Sequence, residues 1–271
     1  MSLKMDISGH RRRLYGPWAV VTGASDGIGR AMALALADQG FSLVLAARRA
    51  DMLHELAAQL ATRGVMTSVV AVDLSTPAGC RALADATADH DVGLLVAAAG
   101  FGTSGPFLSI DADTEAAMLA VNCGAVLSLT HIFARRFAAR GRGGIVMLGS
   151  LLAFQGVPGA ATYAATKAFV QTLAEGLHRE FKPAGVDVLV AAPGPVKSGF
   201  AARADLQMGV ALSPDVLPEP ILAALGQRIT VRPGWLSWLL EAAFLGQPRT
   251  FRSLILSRVM AGMTQHQRGT T

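Results

Sequence analysis

Residues 18–29 read Trp18-Ala-Val-Val-Thr-Gly-Ala-Ser-Asp-Gly-Ile-Gly29, an apolar, β-branched run that passes without a spacer into three glycines. The run reads as a buried strand over Trp18–Thr22. Glycines at 23, 27 and 29 let the turn tighten and let backbone approach a pyrophosphate, whose charge is favoured by the N-terminus of the helix that follows. A glycine turn alone also fits an ordinary tight βα connection, so its weight depends on what lies on either side.

Outward from that turn the chain alternates strand and helix. Helices are expected over about 28–39, 51–63, 78–89 and 113–140, and one carrying Tyr163 and Lys167 runs to about Phe181. Strands are expected over 41–47, 67–72, 92–98, 145–149 and 186–192. Repeated βα units with apolar, β-branched strands are the signature of a parallel sheet covered on both faces. Beyond residue 198, Leu212-Ser-Pro-Asp215 opens a helix to about Gln227, Arg228–Arg232 reads as a last strand, and 235–245, WLSWLLEAAFL, is densely apolar. No repeat, low-complexity tract or interdomain linker breaks the pattern, so one domain over 1–271 is expected. Residues 1–14 read as a flexible arm, and 198–271 as the substrate-side and C-terminal helical segment.

Composition agrees with a large core. Of 271 residues, 52% are hydrophobic and 16% charged, which argues against disorder. Two cysteines, Cys80 and Cys123, form no CxxC pair and read as small core residues in a reducing compartment. Six scattered histidines show no zinc-type spacing, so no metal is expected. The formal charge of +5 permits phosphate-bearing partners. Arginines lie in short groups without interleaved aromatics, which argues against nucleic acid. No apolar leader follows the polar N-terminal residues, and no uncharged run of about 18 apolar residues appears, so the expectation is a cytoplasmic protein without a membrane span.

A second stretch carries chemistry. In Ser150–Lys167, SLLAFQGVPGAATYAATK, the pair Tyr163 and Lys167 stands at i, i+4, on one face of a helix. An ammonium there would favour the phenolate and bring tyrosine, an acid of pKa ~10, toward use near neutrality. Ser150 follows the Ile145–Gly149 strand, so its hydroxyl sits at the C-terminal end, where open α/β sheets bind ligands. A tyrosine and a lysine at this spacing also occur on ordinary exposed helices, so the pair needs a cofactor site elsewhere. At the end of the second strand, where an acid would take the ribose 2′-hydroxyl of NAD, the chain has Ala46-Ala47-Arg48-Arg49. Two guanidiniums suit a 2′-phosphate, and NADP is the expected cofactor.

Glycine turn, upstream serine and Tyr/Lys pair together resemble the short-chain dehydrogenase/reductase family over about Trp18–Phe200. The resemblance implies an α/β fold, a Rossmann-type doubly wound parallel sheet of about seven strands with helices on both faces. It implies that TGASDGIG holds the cofactor through Gly23, Ser25, Asp26, Gly27, Ile28 and Gly29. Val72-Asp73-Leu74 resembles the adenine-contacting segment, giving Asp73 and Leu74 to the base. Asn122 matches the helix asparagine that helps hold a relay water, and Ser150, Tyr163 and Lys167 match the other catalytic positions. Pro193-Gly194-Pro195-Val196-Lys197-Ser198 resembles the segment closing over the nicotinamide, which adds Pro193, Gly194, Val196 and Ser198. Gly100 is a backbone contact. Where the family has NNAG, this chain has Ala97-Ala98-Ala99-Gly100, and alanine cannot make the asparagine hydrogen bonds that brace neighbouring strands.

The activity implied is NADP(H)-dependent hydride transfer between nicotinamide C4 and a carbonyl or alcohol carbon, in a homodimer or homotetramer. In the reductive direction Tyr163 gives the proton and Ser150 bonds the same oxygen, while Lys167 lowers the tyrosine pKa and contacts the nicotinamide ribose. Residues 235–245 are expected to lie over the substrate side and make the pocket apolar. The alternatives are a catalytically silent NADP(H)-sensing protein, and a peripheral membrane protein using the same apolar segment.

Overall fold

The computed structural model describes residues 11–207, 209–244, 246–265 and 267, and the side chains of 240–244 lie outside that description. Seven strands form one parallel sheet in the order β3-β2-β1-β4-β5-β6-β7. They are β1 Trp18–Thr22, β2 Ser42–Ala47, β3 Thr67–Ala71, β4 Val92–Ala97, β5 Gly143–Leu148, β6 Val186–Ala191 and β7 Thr230–Val231. The strand order reverses direction between β1 and β4, and that switch point opens the crevice at the strands' C-terminal ends.

Side chains alternate faces as the strand period requires. Val21, Leu43, Leu45 and Val96 face one core, closed by α1 Gly27–Asp38 and α2 Ala50–Ala61. Val20, Val44, Leu95 and Ile145 face the other, closed by α3 Pro77–Asp85, a long composite helix Ala112–Ala139, and α6 Ala161–Phe181. Phe133 and Phe137, fully buried, are each worth ~1.5–3 kcal/mol of burial there.

The composite helix is not uniform. It runs as α4 Ala112–Leu119, a π-helical segment Ala120–Ala125, and α5 Val126–Ala139. A π segment inserts a residue into the hydrogen-bond ladder and re-aims what it carries, here Asn122. By length and composition Ala112–Ala139, with an 18-residue window of mean hydropathy 1.7, is long and apolar enough to cross a membrane. Residues 116–134 carry no charged side chain, contrary to the expectation of no such run, although Asn122, Ser128, Thr130 and His131 interrupt its apolar residues. In this fold its Leu129, Phe133 and Phe137 pack on the sheet.

Three boundaries differ from expectation. Residues 1–10 lie outside the described part, but 11–15 are helical, and Arg11 donates to Gln39 Oε1 at 3.2 Å. Tyr15, 4% exposed and next after the expected arm over 1–14, donates to Asp187 Oδ2 at 2.9 Å and so is anchored to β6. The helix expected from Leu212 is cut by prolines into a 3-10 turn, Pro214–Val216, and α8 Pro218–Ala224. The last strand is two residues long.

Candidate active site

The glycine turn forms because its residues have no alternative geometry. Gly27 sits at φ +54°, and a Cβ at Gly29 would lie 2.3 Å from the Gly23 carbonyl oxygen, so only glycine lets α1 close on the turn. Asp26 caps α1 by accepting from the Gly27 N–H at 2.7 Å. Its second oxygen accepts from the Gly199 N–H at 3.0 Å, which ties the turn to the segment after β6.

Bracing lost through Ala97 and Ala98 is supplied from the neighbouring strand. Thr22 Oγ1 accepts from the N–H groups of Ala98 and Ala99, each at 3.0 Å, and donates to the Val96 carbonyl at 3.4 Å. One hydroxyl at the switch point thus fixes the end of β4.

A continuous cavity of about 550 Å³ runs along the crevice. Every residue expected to touch the cofactor lines it, as do Ser150, Tyr163 and Lys167. At one end stand Arg48 and Arg49. Arg49 Nη2 donates to Ser25 Oγ at 3.1 Å and lies 3.8 Å from Asp26 Oδ2. The Ser75 N–H, and after it the guanidiniums of Arg48 and Arg203, hold the Asp73 carboxyl below the usual range. Burial, then Arg48 and Arg49, pull the Arg203 guanidinium down. Arg203, on α7 Gly199–Arg203, also stacks 3.7 Å over the Phe101 ring centroid. It is a third cation in this cleft, and no spacing signal marks it, because α7 reaches the crevice only through the tertiary fold.

At the centre, Ser150 ends β5 in extended backbone, and its Oγ accepts from the Leu152 N–H at 3.1 Å. Its own proton serves the hydrogen bond with Tyr163. Lys167 Nζ donates to the Leu148 carbonyl at 2.8 Å and lies 5.7 Å from the Tyr163 ring centroid. Burial pushes the Tyr163 phenol up to about 12, with the Ser150 hydrogen bond acting against it, and burial pulls Lys167 down to about 8. The expectation that Lys167 lowers the tyrosine is therefore corrected: the ammonium is spent on a carbonyl and pays its own desolvation cost. Near neutral pH Tyr163 holds its proton, which is the form that an acid needs.

Asn122 has a bracing network of its own. Fully buried, it takes the Phe101 N–H on Oδ1 at 3.1 Å and donates through Nδ2 to the Phe101 carbonyl at 2.8 Å and Thr166 Oγ1 at 3.1 Å. Thr166 donates in turn to the Tyr163 carbonyl at 2.7 Å. The side chain does not line the cavity. It locks the loop after β4 to the turn of α6 that carries Tyr163 and Lys167, which makes it a positioning residue.

The far end is closed by α10 Arg249–Met263, which the sequence reading places only within a C-terminal helical segment over 198–271. Leu256 and Met260 pack with Val157, Ala160 and Ala164 around Tyr163, and Ile255, Val259 and Met263 also line the cavity. The signal was present, since 255, 256, 259, 260 and 263 are apolar at helical spacing. Among the described side chains of 235–245, none lines the cavity. In α9 Trp235–Phe244, Trp235 and Trp238 are 62% and 66% exposed and outside the cavity lining, and Leu245 lies outside the described residues. Among the described side chains of the segment, Ser237 meets the site, its Oγ accepting from the Gly194 N–H at 2.8 Å.

A parallel sheet of this order, with a glycine turn at its first helix and a Ser/Tyr/Lys set at the switch point, defines a dinucleotide-dependent oxidoreductase. The short chain dehydrogenase family matches residues 17–208, and the chain belongs to that family. It is 39% identical over 191 residues to a very-long-chain 3-oxoacyl-CoA reductase of Podospora anserina, covering 67% of this chain and 56% of that protein. The chain thus spans little more than half the length of that relative. Among solved structures, one of a 7beta-hydroxysteroid dehydrogenase superposes with a TM-score of 0.83 at 27% identity, over 90% of this chain and 98% of that one. A short-chain dehydrogenase from Sphingobium yanoikuyae in complex with NADPH gives 0.75 at 32%, over 85% and 94%.

Proposed function

We propose that the protein uses NADP(H) to interconvert a bulky apolar ketone and its alcohol. The observation that carries this reading is the order of chemistry along one cavity: arginines at one end, Ser150, Tyr163 and Lys167 at the centre, and the apolar wall of α10 at the other. The residues fit a phosphorylated dinucleotide, since a Cβ at Gly23 or Gly29 would strike backbone and keep the turn from closing, and arginines rather than an acid directly follow β2. Bound NADPH supplies the hydride.

The chain's own part is to hold and move a proton. Tyr163, protonated near neutrality, gives its proton to the developing alkoxide of the substrate, and Ser150, its oxygen fixed by Leu152, donates a hydrogen bond to the same atom. Asn122 and Thr166 keep Tyr163 in register with the loop carrying Gly100. The names of the relatives, a 3-oxoacyl-CoA reductase and a hydroxysteroid dehydrogenase, join a carbonyl or hydroxyl to a large apolar body and support the same class.

Arg48, Arg49 and Arg203 select the 2′-phosphate in this reading. Each charge-assisted contact is worth about 1.5–3 kcal/mol, so NADPH binds at least tenfold more tightly than NADH. Calorimetry with both nucleotides tests it. Arg48→Gln and Arg203→Gln should each weaken NADPH binding about tenfold or more and leave NADH unchanged, while equal dissociation constants for the two nucleotides in the parent would contradict the assignment.

A further inference from the structure

The loop that leaves β4 passes directly beside the reacting groups. A Cβ at Gly102 would lie 3.2 Å from Tyr163 Cδ2 and 2.5 Å from Phe200 Cζ, so this backbone runs against the catalytic ring. The next residue, Thr103, lines the cavity. Its hydroxyl donates to Glu115 Oε1 in a short hydrogen bond, with Met118 Sδ, a weak acceptor, 3.9 Å away. Glu115, in the first turn of α4, is only 9% exposed, and its Oε2 is buried with no hydrogen-bond partner among the described residues. Burying a carboxyl with one oxygen unsatisfied is costly, and an apolar side chain of similar size would fill the space at no such cost.

What the carboxyl does is fix the polarity of Thr103. A threonine hydroxyl has one proton and two lone pairs. Glu115 takes the proton, which leaves Oγ1 of this cavity-lining residue with acceptor lone pairs only. The walls around it are apolar, with Phe101, Leu152, Phe200, Leu256 and Met260 among them, and Ser150 and Tyr163 are committed to the reacting oxygen.

We propose that Thr103, polarised by Glu115, selects substrates that carry a hydrogen-bond donor, a second hydroxyl, on the apolar skeleton near the reacting carbonyl. The inference rests on the proposed ketone reductase reading and narrows its substrate class. Thr103 is the contact and Glu115 a positioning residue acting through it. A site built to pair a substrate hydroxyl discriminates strongly against the analogue lacking it, because the buried polar group is then left unpaired.

Three probes separate the possibilities: a bicyclic ketone, its hydroxylated counterpart, and the methyl ether of the latter. Binding to the full-length protein with NADP⁺ is measured by calorimetry, and KM and kcat with NADPH are measured beside it. The parent should bind the hydroxylated ketone at least tenfold more tightly than the other two, with the difference in KM and not in kcat. Thr103→Val should erase the preference and keep the binding of the unsubstituted ketone, whereas Thr103→Ser should retain the preference. Glu115→Leu frees the threonine proton for the cavity and should raise affinity for the ether, which accepts but cannot donate, toward that for the hydroxylated ketone. Equal affinities for the three probes in the parent, no measurable binding of the hydroxylated one, or an unaltered preference in Thr103→Val overturns the inference. Discrimination in binding without any NADPH turnover would leave the inference standing and count against the reductase reading.

Discussion

Lys167 carries an ammonium where burial works against it. Only 7% exposed, its pKa falls from 10.5 to about 8. Below about 8 both folded and unfolded chains hold the proton, and the full cost of burying the charge falls on the folded state. Between about 8 and 10.5 the unfolded chain binds the proton more tightly, so stability rises with pH across that window. The cost is on the order of 3 kcal/mol. Lys167→Met should therefore raise the Tm at pH 7 by several degrees while abolishing turnover, with the gain shrinking as the pH approaches 10.5. A Tm lowered at pH 7, or a gain independent of pH, contradicts this. Tyr163 and Lys167 are legible in the sequence because helical spacing places them, and Ser150 because a strand ends on it. Thr103, Glu115 and Arg203 are not, since separate loops and helices bring them to the cavity and no local period links them.

Among the elements, the strands and the glycine turn follow from apolar runs bounded by glycine, and their order follows from the alternation. The C-terminal part does not. Trp235, Leu236, Trp238 and Leu239 are more conspicuous than anything in 249–263, yet α10 covers the site while Trp235, Trp238 and Leu239 face outward. Large apolar residues show that something must be covered, whereas which element covers it depends on where the chain returns after β7. Placement of α10 is held by Leu256 and Met260 and by Ser253, which donates to the Gly156 carbonyl at 2.7 Å. Leu256→Ser and Met260→Ser should raise KM for bulky ketones about tenfold or more over small ones and leave the cofactor's dissociation constant unchanged. Ser substitutions at Trp235 and Trp238 should not alter that ratio, and if they do, α9 rather than α10 shapes the pocket.

For the whole molecule, Arg48 and Arg49 follow β2 on one side of the switch point, and the apolar wall of α10 closes the far end of the cavity. The outer surface keeps large apolar groups that this division does not use. Leu119 and Leu127 on the composite helix and Phe169 on the adjoining α6 are 47%, 48% and 39% exposed. We propose that a second copy covers this pair of helices in an isologous dimer. Light scattering should give a dimer or its multiple for the parent and a monomer for a variant with Glu at Leu127 and Phe169, and a monomeric parent ends the proposal.

The central claim is that Tyr163 protonates the oxygen of a bulky ketone reduced with NADPH. Its most direct measurement is the initial rate of NADPH consumption over a panel of bulky ketones, for the parent and Tyr163→Phe side by side, with NADPH binding to both confirmed by calorimetry. At least one bulky ketone should be turned over by the parent, with kcat about 10²- to 10⁴-fold lower in Tyr163→Phe at an unchanged NADPH dissociation constant. No consumption with any bulky ketone, or equal rates in the two proteins, would contradict it.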